Sequence, residues 1–204
     1  MSASETAIAT IRAEHRSLGQ VLDTVQVLLS KVATGYMAVD FGLLAAALYY
    51  IDDFPERCHH PKEDEYLFKR LRLRTSAFDG ELDRLQTDHV RSATTLSALH
   101  RAMVLYQGGA PEGLRLLDAA INSYAVDMRK HFATEEQLLV DAGSVLTEGD
   151  WEHIAWAFAA NDDPLFGANQ RLEFTRLYHR IMLLAPRKVK AGLRDSRTGS
   201  PCTP

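Results

Sequence analysis

The residues best suited to chemistry in this 204-residue chain are histidines followed by carboxylates one helical turn later. The stretch RCHHPKEDEYLF contains His59 four residues before Glu63, and KHFATEEQLL contains His131 four residues before Glu135. On a helix, residues four apart lie one above the other on the same face. Since imidazole and carboxylate are costly to bury without partners, each pair is either half of a metal site or part of a solvated surface.

The number of such pairs does not decide between these alternatives. With 8 histidines and 27 acidic residues, about one His-x-x-x-Asp/Glu pair is expected by chance, and three occur, the third being His60 with Asp64. Position is more informative. His15, His89 and His131 each occupy a place in an apolar stripe with steps of three and four residues. One such histidine is usually a hydrogen-bonded core residue, but three in different helices favour a shared site.

The spacing of the histidines along the chain also favours one site. From His15 to His59, His89 and His131 the separations are 44, 30 and 42 residues. In an antiparallel bundle, a long-short-long series places all four residues at one level, nearer the end where the second helix turns into the third. The side chains predicted to meet there are four imidazoles and two carboxylates: His15, His59, Glu63, His89, His131 and Glu135.

This donor set favours a pair of metal ions. A closed zinc site uses four ligands, whereas six nitrogen and oxygen ligands suit two metals, with each glutamate able to bridge them. Imidazole together with carboxylate favours iron or manganese over sites rich in thiolate, and we choose two iron ions because such pairs serve oxygen or redox chemistry. Ferritin-like sites differ, since they use Glu-x-x-His and more acids than histidines.

Four long amphipathic segments must position these residues. The first runs along a stripe from Ile8 to Val32, and the second covers about 39–74. The third and fourth carry stripes from Leu82 to Tyr106 and from Leu114 to Leu138. Pro55 and Pro61 predict a kink or irregular turn within the second helix. Short connections between the segments predict an all-α fold, an up-down-up-down four-helix bundle.

Two additional C-terminal helices are predicted beyond the bundle. Thr147 begins a capping-box pattern ahead of one, and the other covers Phe166 to Leu184. Their apolar faces need a surface to cover, and the outside of the bundle offers one. The predicted organisation is therefore a bundle at 1–145, a helical extension packed on it at 146–186 and a disordered tail at 187–204.

Composition narrows the class of protein. The net charge of −4 gives no reason to expect nucleic acid, and no apolar run reaches the ~18 residues of a membrane span. The N-terminus has no basic start followed by an apolar core, so no signal peptide is predicted. Cys58 and Cys202 are far apart, which argues against a disulfide framework and favours a cytoplasmic location. A homodimer or a protein partner is left open.

The motifs FPERCHHPKEDEYLF and KHFATEEQLL, with the histidines of AEHRSL and QTDHVRS, resemble the hemerythrin-like, or HHE cation-binding, family over roughly 10–142. The resemblance implies a bundle around a non-haem di-iron centre, with the family's ligand places falling on the six residues named above. Oxygen carriers have a further third-helix histidine where this chain has Ala93, and they usually close with His-x-x-x-x-Asp, where it has Glu136. The ligand set is more similar to iron-centre repair proteins and other non-carrier members.

The resemblance implies binding or reduction of a small diatomic or peroxide ligand, meaning oxygen, peroxide or nitric oxide. The alternative is a module that binds, senses or donates iron without turnover, and whether the chain is an enzyme stays open. His60 is a further alternative ligand. We expect His59 to face inward and His60 to lie behind the ligands or at the surface. We also expect Cys58 to be a small buried residue. Four tyrosines are candidate donors to a bound ligand, with packing as their default role: Tyr50, Tyr66, Tyr106 and Tyr124.

Overall fold

Apolar residues three and four places apart recur through most of the chain, and helices follow these repeats in the computed structural model, which describes residues 1–184. No strand occurs in those residues, and none of their helices is long and apolar enough to cross a membrane. The helical elements are α1 (Ala3–Ala33), α2 (Phe41–Ile51), a π-helix (Asp52–His59), α3 (His60–Lys62), a second π-helix (Glu63–Phe68), α4 (Lys69–Arg74), α5 (Asp79–Gln107), α6 (Gly113–Ala142), α7 (Glu148–Ala159), a 3₁₀ turn (Leu172–Phe174) and α8 (Thr175–Leu184).

The predicted all-α bundle is confirmed. Helix α1, the composite helix α2–α4, α5 and α6 form its four members. The connection between α5 and α6 is short because two glycines permit it. Gly109 has φ +78°, where other residues are strained. A Cβ on Gly113 would lie 2.5 Å from the Tyr106 Cα atom, so only glycine allows this close approach.

The irregular segment predicted around the prolines takes the form of π-helix. Pro55 lies inside the π-helix Asp52–His59, and a second π-helix follows at Glu63–Phe68. Proline has no N–H to donate, so a regular helix cannot continue through it with every bond made. Wider π turns accommodate such interruptions and are frequent at functional sites. The composite helix stays continuous while its side-chain register changes near the predicted site.

The C-terminal part agrees only partly with prediction. Helix α7 begins with the predicted capping box at Thr147 and packs against α1. The predicted start of the last helix at Phe166 is wrong, because α8 begins at Thr175. The carboxylate of Asp163 accepts hydrogen bonds from the backbone N–H groups of Leu165 and Phe166, and these bonds hold residues 163–166 in a turn. The predicted tail at 187–204 lies outside the described residues.

Two apolar clusters fill the interior on either side of a polar layer. The smaller cluster lies at the end that contains the start of α1 and the end of α6, and the larger one fills the rest. Each histidine stripe passes from one cluster to the other: His15 follows Ile11 of the smaller cluster and precedes Leu18 of the larger. The polar layer is therefore enclosed by apolar packing above and below.

Candidate metal centre

All six predicted site residues converge in this polar layer. The most exposed of them, His89, has only 7% of its surface accessible. The His15 Nε2 atom lies 3.5 Å from Glu63 Oε1 and 3.3 Å from Glu135 Oε2. The other predicted histidines also present Nε2 to these carboxylates, with distances of 3.1 to 3.5 Å. Residues up to 120 positions apart in sequence thus meet around two buried carboxylates.

The converging side chains form two groups that share Glu63. In each group, one donor atom per residue lies within 4.8 Å of every other. The three-histidine cluster consists of His60, Glu63, His89 and His131. The two-histidine cluster consists of His15, His59, Glu63 and Glu135. The arrangement offers two neighbouring cation positions with Glu63 between them.

His60 differs from the sequence-based expectation. It is 2% exposed, so it does not lie at the surface, and both His59 and His60 are buried at the centre. The π-helix that ends at His59 explains this. Because a π turn is wider than an α turn, each residue rotates by a smaller angle about the helix axis. Two consecutive side chains can then point toward the same interior space.

The unpaired polar atoms of this layer test whether metal ions fit. Buried polar atoms are nearly always hydrogen-bonded, yet both carboxylate oxygens of Glu63 and of Glu135 have no hydrogen-bond partner. The same is true of the Nε2 atoms of His15, His59 and His60. The Nε2 atoms of His89 and His131 lie 3.1 Å apart, a separation suited to two ligands of one ion. Cations between these atoms would satisfy them, so the residues fit the metals that the sequence predicted.

The negative charge of the buried glutamates also favours a bound cation. Burial and the neighbouring Glu135 by themselves raise the pKa of Glu63, but His59 and His15 outweigh them and lower it to about 2. Burial alone would lower the pKa of His59, but the charge of Glu63 and the bond to Glu14 raise it to about 9. The carboxylates thus stay ionised in a dry interior, and they need cationic partners there.

Every imidazole of the centre has a carboxylate near its Nδ1 atom. The His59 Nδ1 lies 2.6 Å from Glu14, and the His89 Nδ1 lies 3.2 Å from Asp64. The remaining three contacts measure 3.6 to 3.8 Å and join His15 with Glu136, His60 with Glu56, and His131 with Asp88. Metal-ligating histidines typically bond such a partner through their second nitrogen, which fixes the tautomer and the ring orientation. Of the five contacts, those of His59 and His89 are within hydrogen-bond distance.

A hydroxyl cluster adjoins the three-histidine cluster. The Tyr124 hydroxyl lies 3.1 Å from Glu56 and 3.2 Å from Ser92, which also donates to Glu56. Ser92, Tyr124 and His131 line a hollow between α5 and α6 with room for a water-sized molecule. Two hydroxyl groups are therefore placed where a small molecule could approach the centre.

Of the other residues singled out in the sequence, three tyrosines have packing or structural partners. Tyr50 donates to Asp163, Tyr66 meets Trp156 edge to face, and Tyr106 meets Phe41 in the same way. Cys58 is half-buried, packs against the larger apolar cluster and contacts the carbonyl of Asp53. The predicted packing roles agree with these contacts, and Tyr124 alone of the four tyrosines reaches the hydroxyl cluster.

Sequence reasoning missed the carboxylates that face the Nδ1 atoms. Glu56 stands one turn before His60, which was a readable signal. Asp64 was paired with His60 in the sequence but faces His89, 25 residues away. Glu14 gave no signal, because it faces a histidine 45 residues away. The sequence also gave no indication of Asn161, which donates a hydrogen bond to Glu14.

Comparison with known proteins gives one match. The model of a family described as the hemerythrin HHE cation binding domain matches residues 6–143. No curated protein and no solved structure matches the chain. The matched range contains α2 to α6, all of α1 except its first three residues, and every residue of the three-histidine and two-histidine clusters. With a match over more than half of its length and buried His/Glu clusters at the family's characteristic motif, the chain belongs to the hemerythrin HHE cation-binding family.

Proposed function

We propose that this centre holds two iron ions and that the protein binds or reduces a small oxygen or nitrogen species there. The observation that carries the proposal is the pair of clusters joined by Glu63. The ligands would be the six residues predicted from the sequence together with His60. Mixed nitrogen and oxygen donors suit iron, and the absence of thiolate from both clusters agrees with that choice.

The two positions would be chemically unequal. One ion would be held mainly by imidazole nitrogens, from His60, His89 and His131, and the other by two imidazoles and two carboxylates. Neutral imidazoles balance less of a cation's charge than carboxylates do, so the three-histidine position keeps more positive charge. That position also adjoins the hollow between α5 and α6. We therefore assign small-ligand binding to the three-histidine side.

The size of the hollow between α5 and α6 limits the size of the ligand that can reach the centre. The hollow admits a molecule about the size of water, and aromatic rings enclose the other sides. Phe132 stacks on His15 at a centroid distance of 4.3 Å, Phe68 lies parallel to His89 at 5.7 Å, and Phe158 meets His59 edge to face. These rings exclude bulk water and larger substrates. Oxygen, nitric oxide and hydrogen peroxide are the candidate ligands nearest to that size.

The chain's own groups would orient such a ligand. Iron, when bound, supplies Lewis acidity and electrons for redox chemistry. Glu56 accepts hydrogen bonds from Ser92 and Tyr124 and thereby fixes both hydroxyl groups beside His131. Each hydroxyl has a single proton, so it can accept a hydrogen bond from a ligand, or turn its proton from Glu56 to donate to a ligand oxygen.

Peroxide consumption by the iron-loaded protein tests the proposal. Two molecules of hydrogen peroxide give two of water and one of oxygen, so no external reductant is needed. We expect two irons per chain, oxygen release, and an absorbance change when nitric oxide is added. The variant Glu63→Ala, lacking the shared carboxylate, serves as the metal-poor control. Iron binding without peroxide turnover or reaction with nitric oxide would instead assign the chain to the iron-binding and iron-donating alternative.

A further inference from the structure

The C-terminal extension reaches the metal centre from outside the matched family domain. The match ends at residue 143, whereas α7 and the residues after it lie against α1. The ring of Phe158 meets His59 edge to face at 5.8 Å. Asn161, two residues after α7 ends, also points toward the same side of the centre. The extension therefore contacts the residues behind the two-histidine cluster.

A chain of hydrogen bonds joins Asn161 to His59. The Asn161 Nδ2 group donates to Glu14 Oε2 over 3.1 Å, and the same oxygen lies 2.6 Å from His59 Nδ1. Glu14 is buried and has no other side-chain bond among the described contacts. The one carboxylate oxygen that meets the imidazole is thus also the one held by the extension.

The orientation of the Asn161 amide is fixed from its other side. Its Oδ1 atom accepts a bond from the Lys62 ammonium, which also donates to the carbonyl of Ala157 over 2.8 Å. An ammonium group has only donors, so the amide oxygen must face Lys62 and the amide nitrogen must face Glu14. Lys62 lies in α3, between the two π-helices that carry His59 and Glu63. The extension and the π-helical segment therefore hold each other in register.

This arrangement determines which nitrogen of His59 is free. In the neutral ring that a cation binds, donation of the Nδ1–H to Glu14 leaves the electron pair of Nε2 free, and this atom faces Glu63 at 3.1 Å. A carboxylate partner in this position raises the basicity of a ligating imidazole and fixes its ring plane. Without Asn161, Glu14 would lose the contact that orients its oxygen. The imidazole would then be less well placed for a cation.

We propose that Asn161 is a positioning residue of the metal centre, and that the C-terminal extension, through Asn161 and Glu14, sets how tightly the two-histidine cluster holds its metal. The inference rests on the proposed function only in that the cluster binds iron. Its consequence is a specific asymmetry. Loss of the Asn161 bond weakens retention in the two-histidine cluster and leaves the three-histidine cluster unchanged.

The test measures iron release rather than turnover. In iron-loaded protein challenged with a chelator, Asn161→Leu should lose one iron ~10-fold faster than wild type, in line with the effect of removing such a partner, while the other iron leaves at the normal rate. Leucine has a similar size but neither donor nor acceptor. The matched control is Asn169→Ala, in the same extension, whose amide bonds Asp162 and not the centre. Release from Asn161→Leu at the wild-type rate would overturn the inference.

Two further measurements keep the inference decisive. If Asn161→Leu does not fold, Asn161→Ala takes its place. The second measurement uses the wild-type protein. If the extension strengthens iron binding, iron binding must stabilise the extension in return, so iron loading should slow amide hydrogen exchange in 147–161 more than in α8. An equal change in both segments would also overturn the inference. Wild-type protein that holds no iron would refute the proposed function instead, so the two failures are distinct.

Discussion

His59 and His60 are consecutive in the sequence, yet both rings are buried at the same centre, with centroids 5.7 Å apart. A regular helix turns each residue by about 100°, which would send one ring away. The π-helical stretch removes that restriction. The composite helix α2–α4 thereby offers three donors to the centre, including one imidazole beyond the four predicted. This fifth imidazole lies parallel to His89 at 4.3 Å.

Replacing His60 should therefore change metal content. We expect His60→Ala to retain one tightly bound iron and to lose the other to a chelator, because the three-histidine cluster would keep two imidazoles. Metal analysis after chelator treatment measures this. His100→Ala is the matched control, since His100 is exposed on α5 and outside both clusters. Two retained irons in His60→Ala would show that His60 only packs beside the ligands.

Glu63 and His15 should differ in the number of irons that depend on them. Glu63 belongs to both clusters, so Glu63→Ala should lose both irons. His15 belongs to the two-histidine cluster alone, so His15→Ala should lose one. Iron per chain, measured with circular dichroism to verify folding, gives the comparison. Equal stoichiometry in the two variants would contradict the shared position of Glu63.

Tyr124→Phe should alter ligand binding without altering iron content. The hydroxyl bonds Glu56 and Ser92 beside the hollow and belongs to neither cluster. Loss of one hydrogen bond to a ligand costs about 0.5–1.5 kcal/mol, which corresponds to roughly 2- to 10-fold in affinity. Titration with nitric oxide, followed by absorbance, measures this change. Tyr106→Phe is the control, because that ring packs away from the centre against Phe41. Equal affinity for nitric oxide in both variants would show that Tyr124 does not contact the ligand.

Acid should loosen α7 through Asp150. Its buried carboxylate accepts a bond from Arg74 over 2.8 Å and one from the Thr147 N–H over 3.0 Å. The Arg74 bond, helped by Thr147, outweighs burial and holds the pKa of Asp150 well below its usual range. The pKa of this carboxyl is lower in the folded protein than in the unfolded chain, where it is about 3.9. The carboxylate therefore stabilises the fold above a pH of about 3.9, and this contribution is lost as the pH falls from there toward the pKa of the folded protein.

The variant Asp150→Asn tests this assignment. At pH 7 it should melt a few degrees below wild type, because the charged partner of Arg74 is lost. That difference should shrink as the pH falls below about 4, because the unfolded wild-type chain then gains a proton at Asp150 that the folded protein does not bind. Thermal melts across pH 3 to 7 on metal-free protein follow it without interference from iron. A difference independent of pH would attribute the effect to capping alone.

The polar layer shows how far sequence reasoning reached. His15, His89 and His131 could be placed because each lies in a stripe with helical spacing, which is a local property of the chain. His59 and the two glutamates were identified from the four-residue spacing of each pair and from the separations of the histidines. Their roles as iron ligands stay a prediction, as do the domain boundaries. The start of α8 at Thr175 was missed because the Asp163 carboxylate holds a turn that no periodicity indicates.

The sequence by itself determined the four bundle helices, the irregular segment at the prolines and the level at which histidines and carboxylates meet. Only the tertiary structure decided that His60 joins His59 at the centre, that carboxylates face the Nδ1 atoms, and that Asn161 reaches Glu14 across 147 positions of the chain. The physical reason is range. Helical periodicity depends on neighbours within a turn or two, whereas side chains behind the ligands come together only when distant segments pack.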